Sequence, residues 1–179
     1  MALISSLLFL IFSVIKFSNC IWNNTELICN KCDCTEPHVN CFDKNISKID
    51  FGIPNDTDIV NLSRNFIKDI HCNISWPLSV IDIDLSRNLI IEINPCAFQE
   101  FTLLESLNLS HNYLEYLNPR QFSNLTNLNS LDVSNNKLRV LDQWFEPRNN
   151  LMRLNLANNP LGKQRKMFYF LQFSVEFFL

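Results

Sequence analysis

The sequence predicts a solenoid of the α/β type, in which short extended segments stack coil upon coil. Three observations carry this reading. A motif typified by LESLNLSHNYL, Leu104 to Leu114, recurs along the chain. Its asparagines, Asn65, Asn88, Asn112, Asn136 and Asn159, are separated by 23, 24, 24 and 23 residues. The returns repeat too, with Ile74, Phe98, Phe122 and Phe145 each six residues before the next unit's first apolar position. A fixed period of this length is the signature of a repeat architecture.

Within each unit the alternation L-x-L puts two apolar side chains on one face of a short extended segment. The asparagine falls where the chain turns inward, and its amide can satisfy backbone groups that no ladder reaches. Copies begin at Val80 (VIDIDLSRNLI), Leu128 (LNSLDVSNNKL) and Leu151 (LMRLNLANNPL), with a degenerate copy, TDIVNLSRNFI, at Thr57. No coil can bury its apolar side alone, so stacking must join these sides into one core. The column Ile74, Phe98, Phe122, Phe145 is expected to fill the outer, wider side of the stack.

The N-terminal twenty residues stand apart. MALISSLLFLIFSVIKFSNC carries an apolar run from Ala2 to Ile15, with Ser18 and Cys20 at the −3 and −1 positions of a signal-peptide cleavage site. No Lys or Arg precedes the run, and an uncleaved anchor is the alternative. Cleavage after Cys20 leaves six of the seven cysteines, an even number suited to disulfides. Four of them form C-x2-C-x-C-x6-C from Cys29 to Cys41. Zinc is the competing reading of such a cluster, but separated knuckles are missing and a secretory compartment favours oxidation. Cys72 and Cys96 lie at matching places on successive coils, which predicts a bridge between them, with two buried free thiols as the alternative. Sequons for N-glycosylation occur at Asn23, Asn45, Asn55, Asn61, Asn73, Asn108 and Asn124.

The pattern L-x-x-L-x-L-x-x-N-x-L over roughly residues 57 to 161 resembles the leucine-rich repeat, and the segment from Cys29 to Ile67 resembles the cysteine-rich N-terminal cap of its extracellular members. The resemblance implies a horseshoe with short parallel strands on the concave face and irregular or short helical convex segments. It implies cap pairings Cys29–Cys34 and Cys32–Cys41. It also implies stoichiometric binding of protein or microbial macromolecules, as in Toll-like receptors, Slit-like guidance proteins and matrix proteoglycans. The expected domains are therefore a signal peptide at 1–20, a cap at 21–56, repeats at 57–161 and an atypical apolar tail at 162–179. No second cysteine cap follows Asn159-Pro160, and the tail shows no further L-x-L-x-x-N. It reads as a makeshift cover for the last coil, as a hydrophobic anchor, or as the unrelated end of a truncated receptor.

On the strands the column Asn61, Asp84, Asn108, Asp132, Asn155 and the next, Ser63, Ser86, Ser110, Ser134, Ala157, are expected to face solvent as scaffold. The more variable positions make Arg64, Asp82, Arg87, His111 and Arg153 the candidates for a ligand face, with a merely solvated, locally ion-paired surface as the alternative. Composition excludes other classes. Net charge is −3 with scattered basic residues, against nucleic acid as the main partner. His38, His71 and His111 sit on different units without a partnered nucleophile, and Gly52 and Gly162 alone cannot build a phosphate loop. Neither an enzyme nor a cofactor is expected. A membrane contact is expected only through the tail or a missing C-terminal segment.

Overall fold

A computed structural model describes residues 28–72, 76–140 and 150–162, and the backbone of 176–178. The leader, Cys20, Asn23, Asn73, Ile74 and Phe145 lie outside the described residues. Each copy of the motif forms a three-residue strand: β3 (Ile59–Asn61), β5 (Asp82–Asp84), β7 (Ser106–Asn108), β8 (Ser130–Asp132) and β9 (Arg153–Asn155). They pair in parallel with no register slip, Val60 beside Ile83, Leu107, Leu131 and Leu154. The cap opens the sheet with an antiparallel pair, β1 (Asp33–Thr35) and β2 (His38–Asn40), and β2 then runs parallel to β3. A second, two-stranded sheet joins β4 (Asp69–Ile70) to β6 (Glu92–Ile93) on the return of two coils.

The core is one column of layers running through the stack. Val60, Leu62, Ile83, Leu85, Leu109, Val133 and Leu154 are fully buried. On the convex side Phe98 and Phe122 are buried, and Phe101 packs edge-on against Phe98 and Trp76, ring centroids 6.1 and 5.6 Å apart. Among the described residues that side is built of turns, the β4–β6 pair and a 3-10 turn at Pro119–Gln121, where Gln121 donates to the Ile93 carbonyl and accepts from the Asn118 N–H.

Two sequence expectations need correction. The serines of the column Ser63, Ser86, Ser110 and Ser134 do not face solvent; all are buried. The chain turns immediately after each strand, and the side-chain oxygen of the last strand residue accepts the N–H two residues on, at 2.8–3.1 Å from Asn61 to Asn155. That turn tucks the serine beneath it. The tail, secondly, does add to the repeat: β10 (Glu176–Phe178) lies parallel to β9, with Phe177 beside Leu154. The separation is again 23 residues, and V-E-F-F-L offers the required alternation with phenylalanine in place of leucine. The ladder asparagine of such a coil would fall beyond Leu179.

Candidate functional site

The asparagines bind the coils together. Asn65, Asn88, Asn112 and Asn136 are buried, and Asn159 is partly so. In Asn88 the Nδ2 donates to the carbonyls of Leu62 and Leu85, and Oδ1 accepts from the Ile67 N–H at 3.1 Å. Asn112, Asn136 and Asn159 repeat the arrangement one coil further each time. At the cap, Asn65 Oδ1 takes two donors, Lys44 N at 3.1 Å and Ile46 N at 2.9 Å. An amide is the smallest side chain offering both donors and an acceptor, which is why this position is asparagine.

Disulfides close the N-terminal end. Cys29 is bonded to Cys34 and Cys32 to Cys41, with Cα atoms 5.5 and 4.6 Å apart. Cys72 and Cys96 are bonded across successive coils, Cα atoms 5.2 Å apart. All six cysteines of the described residues are thus taken up, and the zinc reading of the cluster falls.

The five ligand-face candidates divide into two groups. Asp82 and Arg153 occupy the first position of β5 and β9, with Ser106 and Ser130 on the strands between them. Three strand steps of about 4.8 Å separate them by about 14 Å. Arg64, Arg87 and His111 lie instead in the turn after the strand, at the rim of the concave face. They have left-handed backbones, φ 55°, 54° and 54°, a conformation repeated at Asn135 and Asn158. Their N–H groups donate to Ser86, Ser110 and Ser134 carbonyls of the following coil at 2.9–3.0 Å, so the ladder persists through the turn. The Arg64 guanidinium covers the Phe42 ring, 5.5 Å from its centroid.

Asp82 has its carboxyl raised above the usual carboxylate range, chiefly by burial and further by the neighbouring Asp84 charge, against a lowering hydrogen bond from Ser106. Asp132 accepts from Asn155 Nδ2 at 2.9 Å. The concave centre is therefore acidic at Asp82, Asp84 and Asp132. Of the sequons, Asn45, Asn55 and Asn124 are exposed, whereas Asn61 and Asn108 stand half-buried on the strands.

One surface escaped the sequence reading. Of nine exposed large apolar side chains among the described residues, six, Phe42, Phe66, Ile91, Tyr113, Tyr116 and Val140, follow the strand on the side where the chain leaves the concave rim. The signal was present: the residue after three of the five ladder asparagines, Phe66, Leu89 and Tyr113, is apolar at a position where a solvated coil tolerates anything.

The family model for the leucine rich repeat matches residues 57–114 and 102–161. No curated protein matches the chain. Among solved structures, the protein in a crystal structure of a TLR13–ssRNA13 complex superposes with a TM-score of 0.72 at 27% identity, over 83% of this chain and 22% of that one. A Leptospira interrogans leucine-rich repeat protein, LIC12759, gives 0.58 at 26% identity, over 70% of this chain and 32% of its own. The chain thus spans less than a third of the length of either. Proteins of this kind are generally non-enzymatic binding modules. The disulfides suit an extracellular setting, and among the described residues no helix is long and apolar enough to cross a membrane. With its repeats matched over more than half its length and its first coil locked by cysteines, the chain belongs to the leucine-rich repeat family, as a member with a cysteine-rich cap.

Proposed function

We propose that this is a secreted recognition module, the N-terminal part of a receptor ectodomain or a soluble form of one, binding a protein or microbial macromolecule by its solenoid surface. The supporting observation is the disulfide-locked cap at the head of a continuous parallel sheet whose outer face no other element of the described chain covers. On this reading residues 1–20 are the removed leader, 21–56 the cap, 57–161 the repeats and 162–179 the tail. The exposed sequons carry glycans. The TLR13 neighbour is a complex with single-stranded RNA. Here the acidic centre of Asp82, Asp84 and Asp132 opposes a phosphate backbone and favours a protein or an uncharged polymer. A matrix interaction protein is the second reading, supported by the same cap.

Expression with the native N-terminus in secreting cells tests this. The product should appear in the medium, begin at Ile21, and shift in mobility after glycosidase treatment. It should then bind saturably to a member of an arrayed panel of extracellular proteins and microbial envelope polymers, and Asp82→Ala with Arg153→Ala should abolish that binding. Retention in the cell with free thiols, or saturable binding indifferent to these substitutions, overturns the proposal.

A further inference from the structure

Two of the sequons lie on the strands themselves. Asn61 ends β3 and Asn108 ends β7, each in register with Asp84 of β5 between them. Their amides are turned the same way. Asn61 Oδ1 accepts the Ser63 N–H at 3.0 Å and the Ser63 hydroxyl at 2.6 Å, and Asn108 Oδ1 accepts the Ser110 N–H at 3.0 Å. With the oxygen bent back to the turn, the nitrogen on the other arm of the amide points away from it, over the concave face. Neither Nδ2 donates to any group among the described residues. Asn155 shows the alternative. It stands one coil after Asp132 and gives its Nδ2 to that carboxylate, whereas Asn108, one coil after Asp84, does not. The ladder asparagines differ again: their Nδ2 groups are bonded to carbonyls of two coils, and none of them opens an N-x-[ST] sequence.

We propose that Asn61 and Asn108 are glycan acceptors, and that their sugars cover the second strand column of the concave face and confine a ligand to the first. The inference rests on the secretory reading above. Transfer precedes folding: Nδ2 bonds to C1 of a lipid-linked pyrophosphate sugar, the C1–O bond to the pyrophosphate breaks, and one amide proton passes to a base of the transferase. The folded chain then has to house the product. At Asn61 and Asn108 it can, because the substituted nitrogen is the free arm of the amide and Oδ1 keeps its bonds to the turn. At Asn88 or Asn112 it could not, since a sugar would displace a bond to a buried carbonyl. The surroundings suit a neutral substituent rich in hydroxyls. Asp84 lies one strand step of about 4.8 Å from both asparagines, and Asp132 lies one step beyond Asn108. Neither carboxylate has an ion-pair partner among the described residues, and sugar hydroxyls can donate to both. The first column, Ile59, Asp82, Ser106, Ser130 and Arg153, contains no sequon. A ligand therefore reaches Asp82 and Arg153 from the side where the strands begin.

Peptide mapping of the secreted chain tests it, after peptide N-glycosidase has released the glycans in heavy-oxygen water and left each former acceptor as labelled aspartate. Label is expected at Asn61 and Asn108 as well as at the exposed Asn45, Asn55 and Asn124. Label at the exposed sites, with either strand asparagine mainly unmodified, overturns this inference and leaves the secretory reading standing. No label at any site overturns both. Coverage has its own readout, the carbodiimide-driven coupling of a small amine to carboxylates of the native protein. Ser63→Ala with Ser110→Ala abolishes both sequons. Ala157 already occupies the equivalent place after β9, where its N–H still donates to Asn155 Oδ1 at 3.1 Å, so the variant should fold. Coupling at Asp84 and Asp132 should rise severalfold in it, with the exposed Glu100 on the convex side as the constant reference. Unchanged coupling at both aspartates overturns the covering of the second column.

Discussion

Replacing Asn112 by alanine tests the asparagine ladder at its centre. The side chain is 5% exposed and makes three principal bonds, from Ile90 N–H to its Oδ1 and from its Nδ2 to the Leu85 and Leu109 carbonyls, all at 3.0 Å. The carbonyls are not left bare by the substitution. Leu85 O also accepts from Asn88, and Leu109 O from Asn136. Ile90 N–H has no second acceptor among the described bonds. The loss is thus one orphaned buried donor, costing about 1–3 kcal/mol, and two bonds at about 0.5–1 kcal/mol each. Together these come to about 2–5 kcal/mol, the middle of which is a fall in Tm of about 10 °C for a chain of this size. Urea unfolding of the disulfide-intact secreted protein, followed by circular dichroism, reads this directly. Asn159→Ala is the comparison: it makes the same bonds at the far end of the asparagine ladder but is only partly buried, so water can replace them and the cost should be smaller. A loss below about 1 kcal/mol at Asn112 with an unchanged denaturant slope, or equal losses at the two sites, would refute the account of shared carbonyls and an orphaned donor.

Three further outcomes are expected. Non-reducing peptide mapping should recover all three bridges, and Cys72→Ser with Cys96→Ser should destabilise by about 3 kcal/mol, from the loop entropy of a 24-residue separation; an unchanged unfolding midpoint would deny the bridge a structural part. Phe98→Ala, at a side chain 1% exposed against Phe101, should cost about 3–5 kcal/mol by chemical denaturation, and a loss under about 1 kcal/mol would place the phenylalanine outside the core. Asp82→Asn should raise Tm at neutral pH. The folded carboxyl is raised, so its ionisation costs stability as pH climbs through the unfolded value toward the folded one. The gain should therefore be full above that window and vanish below it; a gain that persists in acid would mean that the charge is not its source.

The repeat was legible because each of its parts is a local rule applied at fixed spacing. Leu107, Leu109 and Asn112 announce a strand, its inward face and the turn that follows, and four strong copies in phase leave no other architecture that buries them. The cap could be read from four closely spaced cysteines after an apolar leader, although their pairing came through resemblance rather than from the residues. The end of the chain was harder. Phe177 stands one period after Leu154, but without a following asparagine the copy fell below recognition, and only strand pairing with β9 revealed it. The buried serines were misjudged for a related reason: strict alternation ends at the last strand residue, where the Asn61 or Asp84 side chain bends the chain inward.

The sequence by itself determined the period, the core columns, the asparagine ladder and the class of protein, because these depend on contacts between each residue and its equivalent one coil away. Only the tertiary structure decided which outward positions share a surface. It split the five ligand candidates between the strands and the rim, and it gathered Phe66, Ile91, Tyr113 and Tyr116 onto one flank beside Arg64 and Arg87. Such neighbourhoods depend on where the backbone turns, and a left-handed residue at φ near 55° in each coil sets that turn in three dimensions without leaving a distinctive mark in the choice of Arg, His or Asn.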